Sequence, residues 1–219
     1  MTEADSLRAL VRVMDRLRSP GGCPWDAQQT HESLVPYALE EAYELAEAIE
    51  TGDRPGLREE LGDLLLQVVF HARIATEHPT DPFDVDDVAA DLVAKLVRRH
   101  PHVFEEAPLE GDAHVQWDRL KNVEKQRASA LDGVPLALGA LARGQKVLAR
   151  AERAGIDARA VARRVDVDDE VAARLLAVLV DAHEHGVDAE AALRGAVRQL
   201  EEGIRADEHV ARRGPSSDR

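Results

Sequence analysis

Four acidic residues at matched spacings have the chemistry to hold a divalent cation. Glu41 and Glu44 stand three positions apart, and so do Glu60 and Asp63. On a helix that spacing sets both carboxylates of a pair on one face, about one turn apart. Four convergent carboxylates repel one another unless a cation sits among them. Hard oxygen ligands suit Mg²⁺, with Mn²⁺ as a substitute.

Two helices must position these acids. The first is expected over roughly Ser33 to Glu50, with Leu34, Ala38, Ala42, Leu45 and Ile49 as its apolar stripe. Glu41 falls at the edge of that stripe and Glu44 next outward. The second is expected over about Leu57 to Glu77. Leu61, Leu64, Leu65, Leu66, Val68, Val69 and Phe70 surround most of it, so it reads as a buried helix. Yet Glu60, Asp63, Gln67 and His71 recur at spacings of three, four and four, on one narrow line. An acidic line on a buried helix needs a partner. The short break Thr51-Gly52-Asp53-Arg54-Pro55-Gly56 lets the helices lie antiparallel, so the two pairs can converge. Glu40, Glu47 and Glu59 read as ordinary solvated acids.

Other residues could meet an anion. Lys95, Arg98 and Arg99 share one side near the end of a helix expected from the Asp84/Asp87 cap to about His100, whose core face is Val85, Val88, Ala89, Leu92 and Leu96. They serve either as cations favourable at a helix C-terminus or as a grip on phosphate oxygens. Trp117, Lys121 and Lys125 follow at spacings of four on a helix expected over about Asp112 to Ala130. They could hold a base and a phosphate tail, or be a core indole with solvated lysines. Upstream, a helix over Leu7 to Arg18 has Leu7, Leu10, Val11, Met14 and Leu17 as its apolar face, and Ser19-Pro20-Gly21-Gly22 breaks it. The stretch Cys23 to His31 is expected as a loop, with Trp25 either plugging the core or walling a pocket.

Composition bounds the rest. The 219 residues are only 3% aromatic and rich in Ala, Leu, Val, Glu and Arg, which favours helices throughout. A net charge of −14 argues against a nucleic-acid binder, but not against single nucleotides arriving with a metal. Cys23 is the one cysteine, so no internal disulfide can form, and no His is singled out to make it a nucleophile. The N-terminus lacks a signal-peptide core and no apolar run approaches membrane-spanning length, so a cytoplasmic protein with no membrane partner is expected.

A domain boundary is expected at Leu131 to Pro135, giving an active region over 1–130, a second helical region over 131–211 and a disordered tail over 212–219. Helices are expected over Leu138 to Ala154, Asp168 to Glu184 and Asp188 to Ala206. The run Glu60 to Val69 resembles Val171 to Val180. In that alignment Val171 stands where Glu60 stood and Arg174 where Asp63 stood. The apolar scaffold is kept and the ligands are gone.

Taken together, Cys23-Pro24-Trp25-Asp26 with Gln29-Thr30-His31, Glu40-Glu41-Ala42-Tyr43-Glu44, Glu60-Leu61-Gly62-Asp63-Leu64-Leu65, Lys95 to Arg99 with His100-Pro101-His102-Val103-Phe104, and Trp117 with Lys121 and Glu124-Lys125 resemble the MazG family of nucleoside triphosphate pyrophosphohydrolases. The likeness covers residues 7–127 densely. It implies an all-α protein: a four-helix bundle followed by a degenerate second repeat, with a homodimer as the assembly. It implies cleavage of nucleoside triphosphates to the monophosphate and pyrophosphate. Mg²⁺ would be held by Glu41, Glu44, Glu60 and Asp63, which also form the catalytic set. Lys95, Arg98 and Arg99 map to the family's nucleotide-binding run and Trp117 to its base-stacking tryptophan; Trp25, Lys121 and Lys125 complete the substrate contacts. The second half resembles the later domain of longer members, including Gln145-Lys146 and Gly186-Val187-Asp188, but lacks the acidic motif, so a single active domain is implied.

Three other readings bear on the carboxylates. A di-iron bundle wants Glu-x-x-His pairs, and no His here has an acid three residues before it. A house-cleaning pyrophosphatase would act on one aberrant nucleotide. A non-enzymatic dimeric nucleotide sensor would bind without metal-dependent turnover.

Overall fold

The computed structural model describes residues 6–105 and 128–213, apart from the side chains of 210, 211 and 213. Among the described residues there are ten helices and no strand. The chain separates into two compact units, Met1–Leu120 and Lys121–Arg219.

The first unit contains α1 (Ser6–Arg18), α2 (Pro24–Gln28), α3 (His31–Thr51), α4 (Arg54–Ala75), α5 (Val85–Arg99) and α6 (Pro101–Phe104). Its core is Met14, Leu34, Val69 and Phe70, with Leu10, Val11, Leu17, Leu65, Leu66, Ile74 and Val85 packed against it. Leu7, expected on the inner face of α1, sits in the first turn and is exposed. At the end of α1, the Cys23 amide donates to the Leu17 carbonyl at 2.7 Å. A Cβ at Gly22 would collide with the carbonyls of Leu17 and Arg16, so this turn requires glycine.

The segment expected as a loop after Cys23 winds into α2. Pro24 supplies a preset φ at the first helical position, and Asp26 favours the N-terminal dipole. Arg18 clamps it. Its guanidinium, 7% exposed, pairs with Glu77 at 2.8 Å and donates to the carbonyls of Asp26 and Gln29 at 2.7 and 2.9 Å.

The dominant packing is between α3 and α4. Thr30 and Ser33 form a reciprocal capping box, which starts α3 at His31, ahead of the expected Ser33. Gly52, at φ +71°, ends it in the left-handed conformation that favours glycine. Asp53 caps α4 by accepting from the Gly56 amide at 3.1 Å, and Pro55 lies in the first turn. This two-residue break folds α4 back antiparallel to α3.

The inner line of α3 is Leu34, Ala38, Glu41, Leu45 and Ala48, while Ala42 is exposed and Ile49 is 60% exposed. The expected stripe is thus rotated, because compact Ala48 lets the helices close near the turn where Ile49 would hold them apart. On α4 the expected all-round burial is incomplete, since Leu61 and Val68 are 52% and 44% exposed. Val88, Leu92 and Leu96 of α5 are likewise more than a third exposed, leaving Val85 to reach the core.

The second unit contains α7 (Ala140–Arg153), α8 (Ala158–Ala162), α9 (Glu170–Glu184) and α10 (Ala189–Arg213). Leu148, Leu179 and Ala189 form its core. Gln145 ties α7 to the start of α10: its amide donates to the Val187 carbonyl at 2.6 Å and its oxygen accepts from the Ala189 amide at 3.0 Å. Buried Arg150 donates to the Ala130 carbonyl at 3.1 Å. The last helix runs to Arg213, into the stretch expected to be disordered from Arg212. Among the described residues, no helix is long and apolar enough to cross a membrane.

Candidate metal and nucleotide site

The antiparallel hairpin of α3 and α4 creates the site. Glu41, on the inner line of α3, meets Glu60 and Asp63 from the first turns of α4. One carboxylate oxygen from each lies within 4.8 Å of the others, and all three residues are half-buried. Among the described residues this is the only group of three or more His, Cys, Asp or Glu with metal-binding geometry. Glu44, one turn further along α3, is exposed and lies outside the set of three.

The electrostatics are those of a site short of positive charge. Burial raises the pKa of Glu41, and the carboxylates of Asp63, Glu44, Glu60 and Glu40 raise it further. Burial also leads for Glu60, followed by Glu44, Asp63, Glu59 and Asp53. Glu44 therefore acts on both inner acids even from its exposed position. Two oxygens on one Mg²⁺ lie at most about 4.2 Å apart. The three oxygens need only small side-chain rotations to meet that limit. An all-oxygen, all-anionic donor set fits a hard divalent cation and suits neither thiophilic nor imidazole-seeking metals. Glu40, Glu47 and Glu59 are exposed, as expected for solvated acids.

The structure sorts the other expected site residues. Lys95 is half-buried, Arg99 is 6% exposed and Arg98 is exposed. The basic run thus divides: Lys95 and Arg99, four apart, turn inward, and Arg98 points away. Trp25 is 50% exposed. Its ring meets Tyr37 and Phe70 edge-on at 6.0 and 6.4 Å, so it covers the core and walls a surface at once. Trp117, Lys121 and Lys125 lie outside the described residues.

The hairpin also makes a pair that sequence reasoning missed. His31 and His71 are joined Nδ1 to Nδ1 at 2.8 Å, with coplanar rings. Burial lowers the pKa of His71, and His31 lowers it further. The signal was present: the antiparallel register that opposes Glu41 to Glu60 and Asp63 also opposes His31 to His71. A loop assignment for residues 23–31 concealed it.

Comparison with known proteins agrees with this picture. Residues 29–104 match the profile of the MazG nucleotide pyrophosphohydrolase domain. A nucleoside triphosphate pyrophosphohydrolase of Escherichia coli K12 is 38% identical over 234 aligned positions, covering 94% of this chain and 88% of that protein. An uncharacterised 26.1 kDa protein of Streptomyces cacaoi is 50% identical over 202, covering 91% of this chain and 81% of that one. A nucleoside triphosphate pyrophosphohydrolase of Mycobacterium tuberculosis is 46% identical over 209, covering 93% of this chain but 59% of that protein's length.

Proposed function

The chain belongs to the MazG family of nucleotide pyrophosphohydrolases, hydrolases acting on acid anhydrides, and from that premise we propose that it cleaves nucleoside triphosphates of broad base identity to monophosphate and pyrophosphate in a Mg²⁺-dependent reaction. The observation that carries this reading is the convergence of Glu41, Glu60 and Asp63 on one another with no compensating cation among the groups that shift their pKa values.

Glu41, Glu60 and Asp63 would hold the metal, and Glu44 would complete the anionic shell from the solvent side. Bound Mg²⁺ would neutralise phosphate charge and polarise a water, with Mn²⁺ able to substitute. The chain's own groups do the rest. One of these carboxylates, or the neighbouring exposed Glu40, would accept the proton released by the attacking water. Lys95 and Arg99 supply positive charge for the triphosphate, with Arg98, Lys121 and Lys125 as further donors. Trp117 would stack on the base, and stacking tolerates any base. Phosphoanhydride cleavage needs this positioning and charge balance more than covalent chemistry.

A homodimer is part of the reading. Tyr43, Leu61 and Val68 are exposed on the catalytic hairpin, and a second copy would cover such a face. A cytoplasmic location suits an enzyme of free nucleotides. The test is pyrophosphate release from a panel of NTPs and dNTPs with Mg²⁺ and with EDTA. Metal-dependent release from most of the panel is expected. Release from a single nucleotide would replace broad specificity with a house-cleaning role, and nucleotide binding without release would overturn the enzyme.

A further inference from the structure

One buried side-chain oxygen of the α3–α4 seam lacks a partner. Gln67 is 8% exposed, and its Oε1 is fully buried with no hydrogen bond. It lies on the α4 line between Asp63 and His71. Asp63 faces Glu41 of α3 and His71 faces His31 of α3, so Gln67 faces α3 as well. A buried, unsatisfied amide oxygen is costly, whereas an apolar side chain of equal size would serve a plain core position better. The neighbouring positions are apolar: Leu34, Val69 and Phe70 are all buried.

The far end of the same line is built for hydrogen bonding. In the neutral His31–His71 pair one Nδ1–H donates to the other Nδ1. The donor ring then keeps an acceptor at Nε2, and its mate keeps an Nε2–H donor. Trp25, set by the Arg18 clamp on α2, stands against Phe70, the residue one turn from Gln67. At ~1.5 Å per residue, Gln67 lies about 6 Å along the helix from Asp63 and His71 about 12 Å. That interval is the one a nucleotide spans between a phosphate held at the carboxylates and the polar edge of its base.

We propose that this seam is a base-recognition site, in which the Gln67 carboxamide and the Nε2 edges of His31 and His71 hydrogen-bond the nucleobase and Trp25 forms the wall. The proposal rests on the reading of the chain as a nucleoside triphosphate hydrolase. A carboxamide turned end for end exchanges acceptor for donor, so Gln67 meets a keto or an amino edge. It ranks bases without excluding any.

The experiment measures kcat and KM for ATP, GTP, CTP and UTP with wild type, Gln67→Met and Gln67→Asn, alongside Mg²⁺ affinity by calorimetry and Tm. Gln67→Met keeps the volume and removes both polar ends. It is expected to raise KM about tenfold, the worth of one to two hydrogen bonds, with kcat within about twofold, Mg²⁺ affinity unchanged, Tm undiminished and the order of the four bases altered. Gln67→Asn, which keeps the amide at shorter reach, is expected to fall between and guards against a misfolded Met variant. Wild-type KM values and base order in a folded Gln67→Met overturn the proposal while leaving the hydrolase intact. A wild type that releases pyrophosphate from none of the four overturns the hydrolase and this site together.

Discussion

Helices α4 and α9 use similar apolar scaffolds for opposite ends. On α4 the line Glu60, Asp63, Gln67, His71 faces α3 and builds the candidate site. Aligned as the sequence suggests, α9 carries Val171, Arg174, Val178 and Ala182 at those positions. Val171 and Val178 are 63% and 64% exposed, and Arg174 is exposed too. In α9 the packed residues are Leu176, Leu179, Val180 and Ala182, which meet Leu148 of α7 and its neighbours. Their counterparts on α4 are Leu65, Val68, Val69 and His71, of which Leu65 and Val69 also join a core and Val68 is exposed. The second half therefore differs in more than residue type: α9 exposes Val171, Arg174 and Val178, where α4 turns the aligned Glu60, Asp63 and Gln67 inward.

The connections explain the difference. Gly52 and Asp53 alone separate α3 from α4, which holds the polar line against the adjacent helix. Between α7 and α9 lies α8 with its flanking turns. The second unit contains a cavity of about 520 Å³ lined in part by Arg159, Arg163, Leu176 and Val180. Arg159 is already paired with Glu184 at 2.9 Å, and no cluster of metal-binding geometry accompanies it among the described residues.

The sharpest way to break this contrast is to exchange the lines. Glu41→Gln with Asp63→Asn should lower turnover about a thousandfold, because several kcal/mol of charge stabilisation is lost. Val171→Glu with Arg174→Asp should leave turnover unchanged and create no new Mg²⁺ site in a calorimetric titration. Gain of a site there would show that ligand identity, and not packing, separates the halves.

Core truncations come next. Phe70→Ala should cost about 3–5 kcal/mol and Leu179→Ala about 2–5 kcal/mol in denaturant unfolding. Activity should fall with the first alone, since Phe70 supports Trp25 and the α3–α4 hairpin. Equal loss from both would mean that the second unit supports the site.

Smaller effects should appear in pH titrations of stability, with opposite signs at the two ends of the seam. Glu41 and Glu60 have pKa values raised on folding, so their contribution is complete below the unfolded carboxylate value of about 4.3. It is lost as pH rises through the folded values. Mg²⁺ should flatten that slope, and Glu60→Gln should reduce it. His71 has its pKa lowered, so its contribution is complete above about 6.5 and is lost as pH falls toward the folded value. His71→Phe should remove that acid-side loss. Melting temperatures from pH 4 to 8, with and without Mg²⁺, would reveal both.

Much of this was legible in the residues. Acids at helical spacing among leucines announce a buried polar line, and Gly52-Asp53-Arg54-Pro55 announces the turn that closes it. Ten helices without a strand, among the described residues, follow from a composition poor in aromatics and rich in alanine and leucine. The rotation of α3 was not legible. Ala48 and Ile49 are both apolar, and only close approach at the turn selects the smaller one. Nor could hydropathy distinguish a helix buried all round from one that keeps an exposed apolar face, as with Leu61 and Val68. The division of the basic run was obscured because Lys95, Arg98 and Arg99 have similar chemistry, and only the fold decides that Arg99 is the buried one.

The proposed metal centre is formed by the carboxylates of α3 and α4, with no counterpart among the described residues of the second unit. Calorimetric Mg²⁺ titration of wild type and Glu60→Gln, with circular dichroism to confirm helicity, tests it most directly. Binding in wild type that disappears in a fully helical Glu60→Gln is the predicted result. Undiminished Mg²⁺ binding in that variant would place the metal elsewhere and contradict the account.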